Sequence, residues 1–305
     1  MGSGRLSDRE RTGLRGPVKT CSDFLGDAAE SMTEEEYTTD GRLLVWRGRA
    51  FTGSRVEWVC SYDGTGRLIS ITSGGADVTD EFHYDEQGKK TRVRTVPPRP
   101  GHDGMTMGVS IIFESEEEGY SLRGGGSVIT RYNDDDQPIE SLVHDAQGEL
   151  LSKIVHHYAD GRLVSETLVH EAFELPEQLR ERLSEEQRRA FRAQSKEALS
   201  QRDAFKNMER SYVYDDEGRV IRRLMRMGNL KQDETITYNE HGDKAATVMI
   251  QGGSLSPKLP HHDDDRSEVR YLYQYDSHGN WTEKTTINGH GPGDPNTQRR
   301  TLAYY

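Results

Sequence analysis

The sequence predicts an all-β fold: a long antiparallel up-and-down meander of about 20 strands, curled into an open shell or barrel-like sheet, with one α-helical insertion. Three observations predict it. A phrase close to Tyr-Asp-x-x-Gly-Arg-Leu recurs along the chain. The residues between its copies alternate apolar and polar. Tyr (14) and Gly (31) are plentiful although only 32% of the 305 residues are hydrophobic, as expected when each strand buries one face.

The phrase reads YTTDGRL at Tyr37, YDGTGRL at Tyr62, YDEQGKK at Tyr84, YNDDDQP at Tyr132, HDAQGEL at His144 and YADGRL at Tyr158. It returns as YDDEGRV at Tyr214, YNEHGDK at Tyr238 and YDSHGNW at Tyr275. An Asp or Asn after the Tyr accepts a backbone N–H two residues on, closing an Asx-type turn. Gly supplies the positive φ at the last turn position. The anchoring positions are Tyr37 and Gly41; Tyr62, Asp63 and Gly66; Tyr84, Asp85 and Gly88; Tyr158 and Gly161; Tyr214, Asp215 and Gly218; Tyr238 and Gly242; and Tyr275, Asp276 and Gly279. Each is read as a hairpin turn, with the tyrosine as its packing anchor. Asp136 stands where the Tyr132 copy lacks its glycine, and the His144 copy falls at the opposite sheet end.

Strand parity agrees. Val56, Trp58, Cys60 and Tyr62 share one side, as do Val269, Tyr271, Tyr273 and Tyr275. Phe82 with Tyr84, Tyr212 with Tyr214, and Ile236 with Tyr238 repeat the arrangement. One face is therefore expected to be aromatic and aliphatic, and the other to carry Arg, Glu, Thr and Gln. Pro97, Pro98, Pro100, Pro176, Pro257, Pro260, Pro292 and Pro295 all fall in the connections at the end opposite the turns, where a missing N–H harms no ladder. About 20 strands at ~4.8 Å would span roughly 95 Å, more than an open twisted sheet tolerates without curling.

The connection over residues 171–210 is helical in composition. Pro176 suits a first turn. Ser184-Glu185-Glu186-Gln187 reads as a capping box that starts a helix running to about Lys206. Residues 1–13 read as a flexible N-terminal segment, and 14–305 as a single sheet domain around this insert.

Forty basic and 52 acidic residues give a net charge of −12. Nucleic acid needs a basic face, so it is excluded as a partner. A mean hydropathy of −0.88 and the lack of a long apolar run exclude a transmembrane helix, and no membrane insertion is expected. Cys21 and Cys60 are too few for a disulfide scaffold and read as free buried thiols. No apolar stretch follows Met1, which makes cytoplasmic the default location; a trimmed native N-terminus would leave export or the cell surface open.

YDGTGRL, YDEQGKK, YDDEGRV and YDSHGNW resemble the YD repeat of bacterial Rhs (rearrangement hot spot) proteins and animal teneurins. GLRGPVKT at Gly13–Thr20 and the closing RRTLAYY resemble small stand-alone bacterial members. The resemblance covers about residues 14–305 outside the insert. It implies a large curled antiparallel sheet, which in long members spirals into a shell enclosing a toxin. At 305 residues this chain matches the small type without a toxin domain.

Chemical motifs are sparse. His261, His262, Asp263, Asp264 and Asp265 form the densest ligand-like cluster, but contiguous residues seldom converge on one ion. They read as a polar loop, and no metal or other cofactor is implied. His156 shares the parity of Tyr158 and reads as a core histidine. No nucleophile motif appears, so no catalytic residue is assigned and the chain is not expected to be an enzyme.

The expected function is a non-catalytic scaffold or binding module that recognises a protein or a glycan. Its contact surface is placed in the long loops 97–106, 252–266 and 288–297 together with the helical insert, with His102, Asp103, His261–Asp265 and His290 as binding residues. An accessory or encapsulating protein of a toxin system is one alternative. A glycan hydrolase using a carboxylate pair is the other. Nothing in the sequence sets the oligomeric state. If the insert caps one end of the sheet, deleting residues 174–208 lowers the melting temperature; an unchanged value refutes the capping role.

Overall fold

The computed structural model describes residues 7–28, 30–49, 55–74, 79–96, 125–171, 182–201, 207–253, 262–289 and 295–305. These form 18 strands and two helices. The first half holds α1 (Asp8–Arg11), β1 (Val18–Leu25), β2 (Thr33–Tyr37), β3 (Leu43–Arg49), β4 (Arg55–Tyr62), β5 (Leu68–Gly74), β6 (Thr79–Tyr84), β7 (Lys90–Val96), β8 (Gly126–Tyr132) and β9 (Pro138–Asp145). The second holds β10 (Leu150–Ala159), β11 (Arg162–His170), α2 (Glu185–Gln201), β12 (Asn207–Tyr214), β13 (Val220–Met227), β14 (Leu230–Tyr238), β15 (Lys244–Gly253), β16 (His262–Tyr275), β17 (Trp281–Asn288) and β18 (Asn296–Tyr304).

All 18 strands belong to one antiparallel sheet. Strand β1 pairs with β2 and also with β18, so the hydrogen-bond order is that of a closed barrel. The 18 described strands agree with the expected meander of about 20. Val96 pairs directly with Gly126, so β7 and β8 are neighbours and the ladder has no slot for further strands between them.

The chain divides into two compact units. The first comprises Met1–Asp77, Ile236–Val248 and Ser267–Tyr305. Its core gathers Leu14, Val18, Cys21 and Tyr37, with Leu43, Leu302 and Tyr304 packed against them. The second comprises Val78–Thr235 and Met249–Arg266. Its core runs Val96, Val128, Val143, Leu151, Ile154, Leu168, Met208 and Met227.

The repeated turn is built as its residues dictate. In the Tyr62 copy, Asp63 N–H donates to the Arg67 carbonyl and Gly66 N–H to the Asp63 carbonyl, both at 2.9 Å. Asp63 Oδ1 accepts from the Thr65 and Arg67 amides at 2.9 Å each. Asp85, Asn133, Asp145, Asn239 and Asp276 repeat this double acceptance. The register slips by one residue at the tyrosine, pairing Tyr62 with Leu68, Tyr214 with Val220 and Tyr275 with Trp281. This is a type I turn followed by a left-handed bulge residue. Gly66 takes that position with φ +83°, and Asp136 takes it with φ 64° where glycine is replaced.

Four tyrosines reach the preceding turn. Tyr62 OH donates to the Leu43 carbonyl at 2.7 Å and Tyr214 OH to the Leu163 carbonyl at 2.7 Å. Tyr275 OH donates to Asp243 at 3.0 Å and accepts from Asn239 at 2.6 Å. Tyr304 OH bonds Asp276 and accepts from Asn280 at 2.9 Å. The basic residue after one turn then covers the next tyrosine: Arg42 lies over Tyr62 (5.2 Å), Lys90 over Tyr132 (3.8 Å) and Arg162 over Tyr214 (5.7 Å). His241 and His278 stack on Tyr275 and Tyr304 in the same way.

Residues 7–13, expected as a flexible segment, carry α1 and its capping box between Ser7 and Glu10. Asp8 accepts from the Leu43 amide (3.0 Å) and the Tyr62 hydroxyl (3.2 Å). Arg15 N–H donates to Asn280 Oδ1 at 2.7 Å, which ties the N-terminal strap to the β16–β17 turn.

The two glycines of the Tyr62 turn predict opposite outcomes. Gly66→Ala lowers stability by roughly 1 kcal/mol or more, because its φ is positive and a Cβ would sit 2.6 Å from Arg42. A Cβ at Gly64 meets nothing within 4 Å, so Gly64→Ala leaves the urea midpoint nearly unchanged. Equal effects in urea unfolding would contradict the turn assignment.

Candidate functional site

The end of the sheet opposite the repeated turns was expected to carry recognition. Of the residues placed there, His102, Asp103, His261 and His290 lie outside the described residues. His262, Asp263, Asp264 and Asp265 fall within β16 rather than in a loop. Asp265 is exposed. Among the described residues, no three His, Cys, Asp or Glu side chains are placed to hold a metal.

The helical insert does reach this end. Ser184 and Gln187 form the expected capping box, with Ser184 N–H to Gln187 Oε1 at 2.8 Å and Gln187 N–H to Ser184 Oγ at 3.3 Å. The helix is described to Gln201, and its expected continuation to Lys206 lies outside the described residues. Arg192 donates to Asp145 at 2.9 Å and pairs with Glu149 at 2.7 Å. Those two carboxylates belong to the His144–Gly148 turn, which joins β9 to β10 at the long-loop end as expected. Asp145 is buried beneath the arginine.

The covered face of each unit differs from the expected aromatic and aliphatic surface, since it also carries charge. Asp80 shares the parity of Phe82 and Tyr84 and is fully buried. Arg94 donates to it twice at 2.8 Å, and Arg92 at 3.0 and 3.1 Å. Burial pushes the Asp80 carboxyl up, but the two guanidinium groups outweigh it and hold the pKa below the ordinary value.

Across β10, β11 and β12, His156 Nδ1 lies 3.0 Å from Glu166 Oε1, and Tyr212 OH donates to Glu166 Oε2. Burial again pushes the Glu166 carboxyl up, and His156, Tyr212 and Arg210 together hold it below its usual range. His156 therefore points inward, as its parity implied. On neighbouring strands Thr130 and Ser141 share a hydrogen bond at 3.0 Å, and Ser152 and His170 another at 2.9 Å. A charged residue on an aromatic parity, facing arginines on the next strand, was the readable sign of these clamps.

Cys21 and Cys60 are free thiols. Burial pushes the Cys21 thiol up to about 12, so it stays protonated and unreactive at neutral pH. The repeat tyrosines also keep their protons: burial, ahead of nearby carboxylates, raises Tyr62 and Tyr273, and moves Tyr275 up to about 12. Each remains a hydrogen-bond donor to its neighbour.

No family model and no curated protein matches the chain. Among solved structures it is similar to a porin-like protein from Bacteroides uniformis, with 10% identity, 95% of this chain and 99% of that chain covered, and a TM-score of 0.43. A porin-like protein from Bacteroides vulgatus gives 10% identity, 94% and 98% coverage, and a TM-score of 0.38. The structure of TcdB2-TccC3 without its hypervariable C-terminal region gives 12% identity over 90% of this chain and 16% of that one, with a TM-score of 0.28. Likenesses this remote assign no function. No described helix is long and apolar enough to cross a membrane, which says nothing of β-strands.

Asp80→Asn should cost on the order of 3 kcal/mol at pH 7, because it breaks a buried charge cluster. A carboxyl held below its ordinary pKa contributes fully above about pH 4 and loses that contribution as the pH falls further. The difference between wild type and Asp80→Asn therefore shrinks below pH 4. A difference that is constant down to pH 2 in chemical denaturation contradicts this role.

Proposed function

We propose that the chain is a non-catalytic YD-repeat-type scaffold that presents connections at one sheet end for recognition of a protein or a glycan. The carrying observation is where the extra chain length lies. Strands β7 and β8 pair directly although residues 97–125 separate them, and β11 and β12 pair directly although 171–206 separate them. Both insertions leave the same sheet end without disturbing the ladder, and Arg192 fastens α2 there. A rigid sheet with variable connections suits binding.

Two further observations support the reading. The buried carboxylates Asp80 and Glu166 are held by Arg, His and Tyr side chains, which suits a structural role better than proton transfer. The strand faces away from the cores carry ion pairs within the strands, among them Lys153–Glu140 (2.5 Å) and Arg222–Asp233. A lipid-facing strand needs an apolar band, so these ion-paired faces fit water.

The test replaces 97–106, 254–261 and 290–294 together with Gly-Ser linkers, leaving every strand intact. Wild type and variant are compared on a glycan array and by crosslinking to proteins of the native host. The variant should keep its far-UV circular dichroism and lose the bound partner. Retained binding would move recognition elsewhere, and chemical turnover of a bound glycan would overturn the non-catalytic reading.

A further inference from the structure

On the covered face of the first unit, most charged side chains are already engaged. Arg300 holds Asp23 through two hydrogen bonds of 2.8 and 3.1 Å and lies 3.6 Å over the Trp281 ring. Asp243 accepts from Tyr275 at 3.0 Å and sits 3.8 Å from Arg15. Lys284, on β17 directly opposite Tyr273, differs. Among the described residues no carboxylate lies within ion-pair distance of it. Its Nζ faces the Tyr271 ring, 5.2 Å from the centroid. Burial first, then Arg300 and Lys244, press this ammonium toward its neutral form, and the opposing pull of Asp23 and Asp243 does not offset them. Lys244 likewise has no carboxylate within ion-pair distance among the described residues.

A partly desolvated ammonium repelled by two cations is costly unless an anion or deprotonation relieves it. The local excess of positive charge contrasts with a chain whose net charge is −12. The rings beside it, Tyr271 and Tyr273 on β16, are half-buried; Tyr273 stacks on Tyr275 with centroids 5.8 Å apart, which leaves Tyr271 as the ring next to the ammonium. We propose that Lys284, with Lys244 and Arg300 behind it, is a binding site for the oxyanion of a small ring-bearing molecule, a carboxylate or a phosphate ester, whose ring packs against Tyr271. Charge complementarity selects the oxyanion, and the tyrosine faces select the ring. The site lies on the sheet and is independent of the loops at its end.

The test titrates the full-length protein with benzoate, phenyl phosphate, inorganic phosphate and benzamide, followed by ligand-observed NMR. At least one of the two ring-bearing oxyanions should bind, and the tighter names the source. Uncharged benzamide and ringless phosphate should each bind at least about ten-fold more weakly than that ligand. Lys284→Met should weaken the ring-bearing oxyanion by about ten-fold, and Lys284→Arg should stay within about three-fold of wild type. In unmutated protein, excess benzoate or phenyl phosphate should also protect Lys284 from acylation, read by peptide mass spectrometry, which keeps the test valid if the methionine variant does not fold. Benzamide binding as well as benzoate, an unchanged affinity in Lys284→Met, or no binding and no protection by either oxyanion would overturn the proposal.

Discussion

The structure depends on the hydrogen bonds that Tyr62, Tyr214, Tyr275 and Tyr304 make to the turns before them. The Asp-x-x-Gly turn is self-contained, because its carboxylate satisfies two of its own amides. What it lacks is a tie to its neighbour. Tyr62 supplies one by donating to the Leu43 carbonyl, and Tyr275 another through Asn239 and Asp243. At the last copy Tyr304 grips Asp276 and Asn280, and β18 pairs with β1. Adjacent hairpins are thus linked at their turns as well as through the sheet ladder.

This linkage explains how so polar a chain builds a large sheet. Each unit has only a modest apolar cluster. Between that cluster and the tyrosine band, charged groups such as Asp80 with Arg92 and Arg94, or Glu166 with His156 and Tyr212, occupy covered positions. Such clamps contribute direction and register more than net energy, since desolvation offsets much of their attraction. A slipped strand would leave Asp80 without both arginines, so the polar layer penalises wrong pairings.

Much of this was legible in the sequence because it is local. The Asx turn, the glycine at positive φ, the Ser184–Gln187 capping box and the opposite placement of the His144 turn all follow from residues within a few positions of one another. The reason for the consensus arginine was not legible, since Arg42 acts on Tyr62 and Arg162 on Tyr214, whole hairpins away. The HHDDD run looked like a loop because it is polar, yet pairing draws residues from His262 onward into β16. The strap of residues 7–17 was invisible because its partners, Leu43, Tyr62 and Asn280, are contributed by distant turns.

The most direct measurement of turn-to-turn coupling is a double-mutant cycle between Tyr275→Phe and Asp243→Ala, read by equilibrium urea unfolding. Residues in one hydrogen-bonded network give coupling of about 0.5 kcal/mol or more, and that is the predicted result. Effects that add to within about 0.3 kcal/mol would mean that neighbouring turns are independent, and would contradict the account.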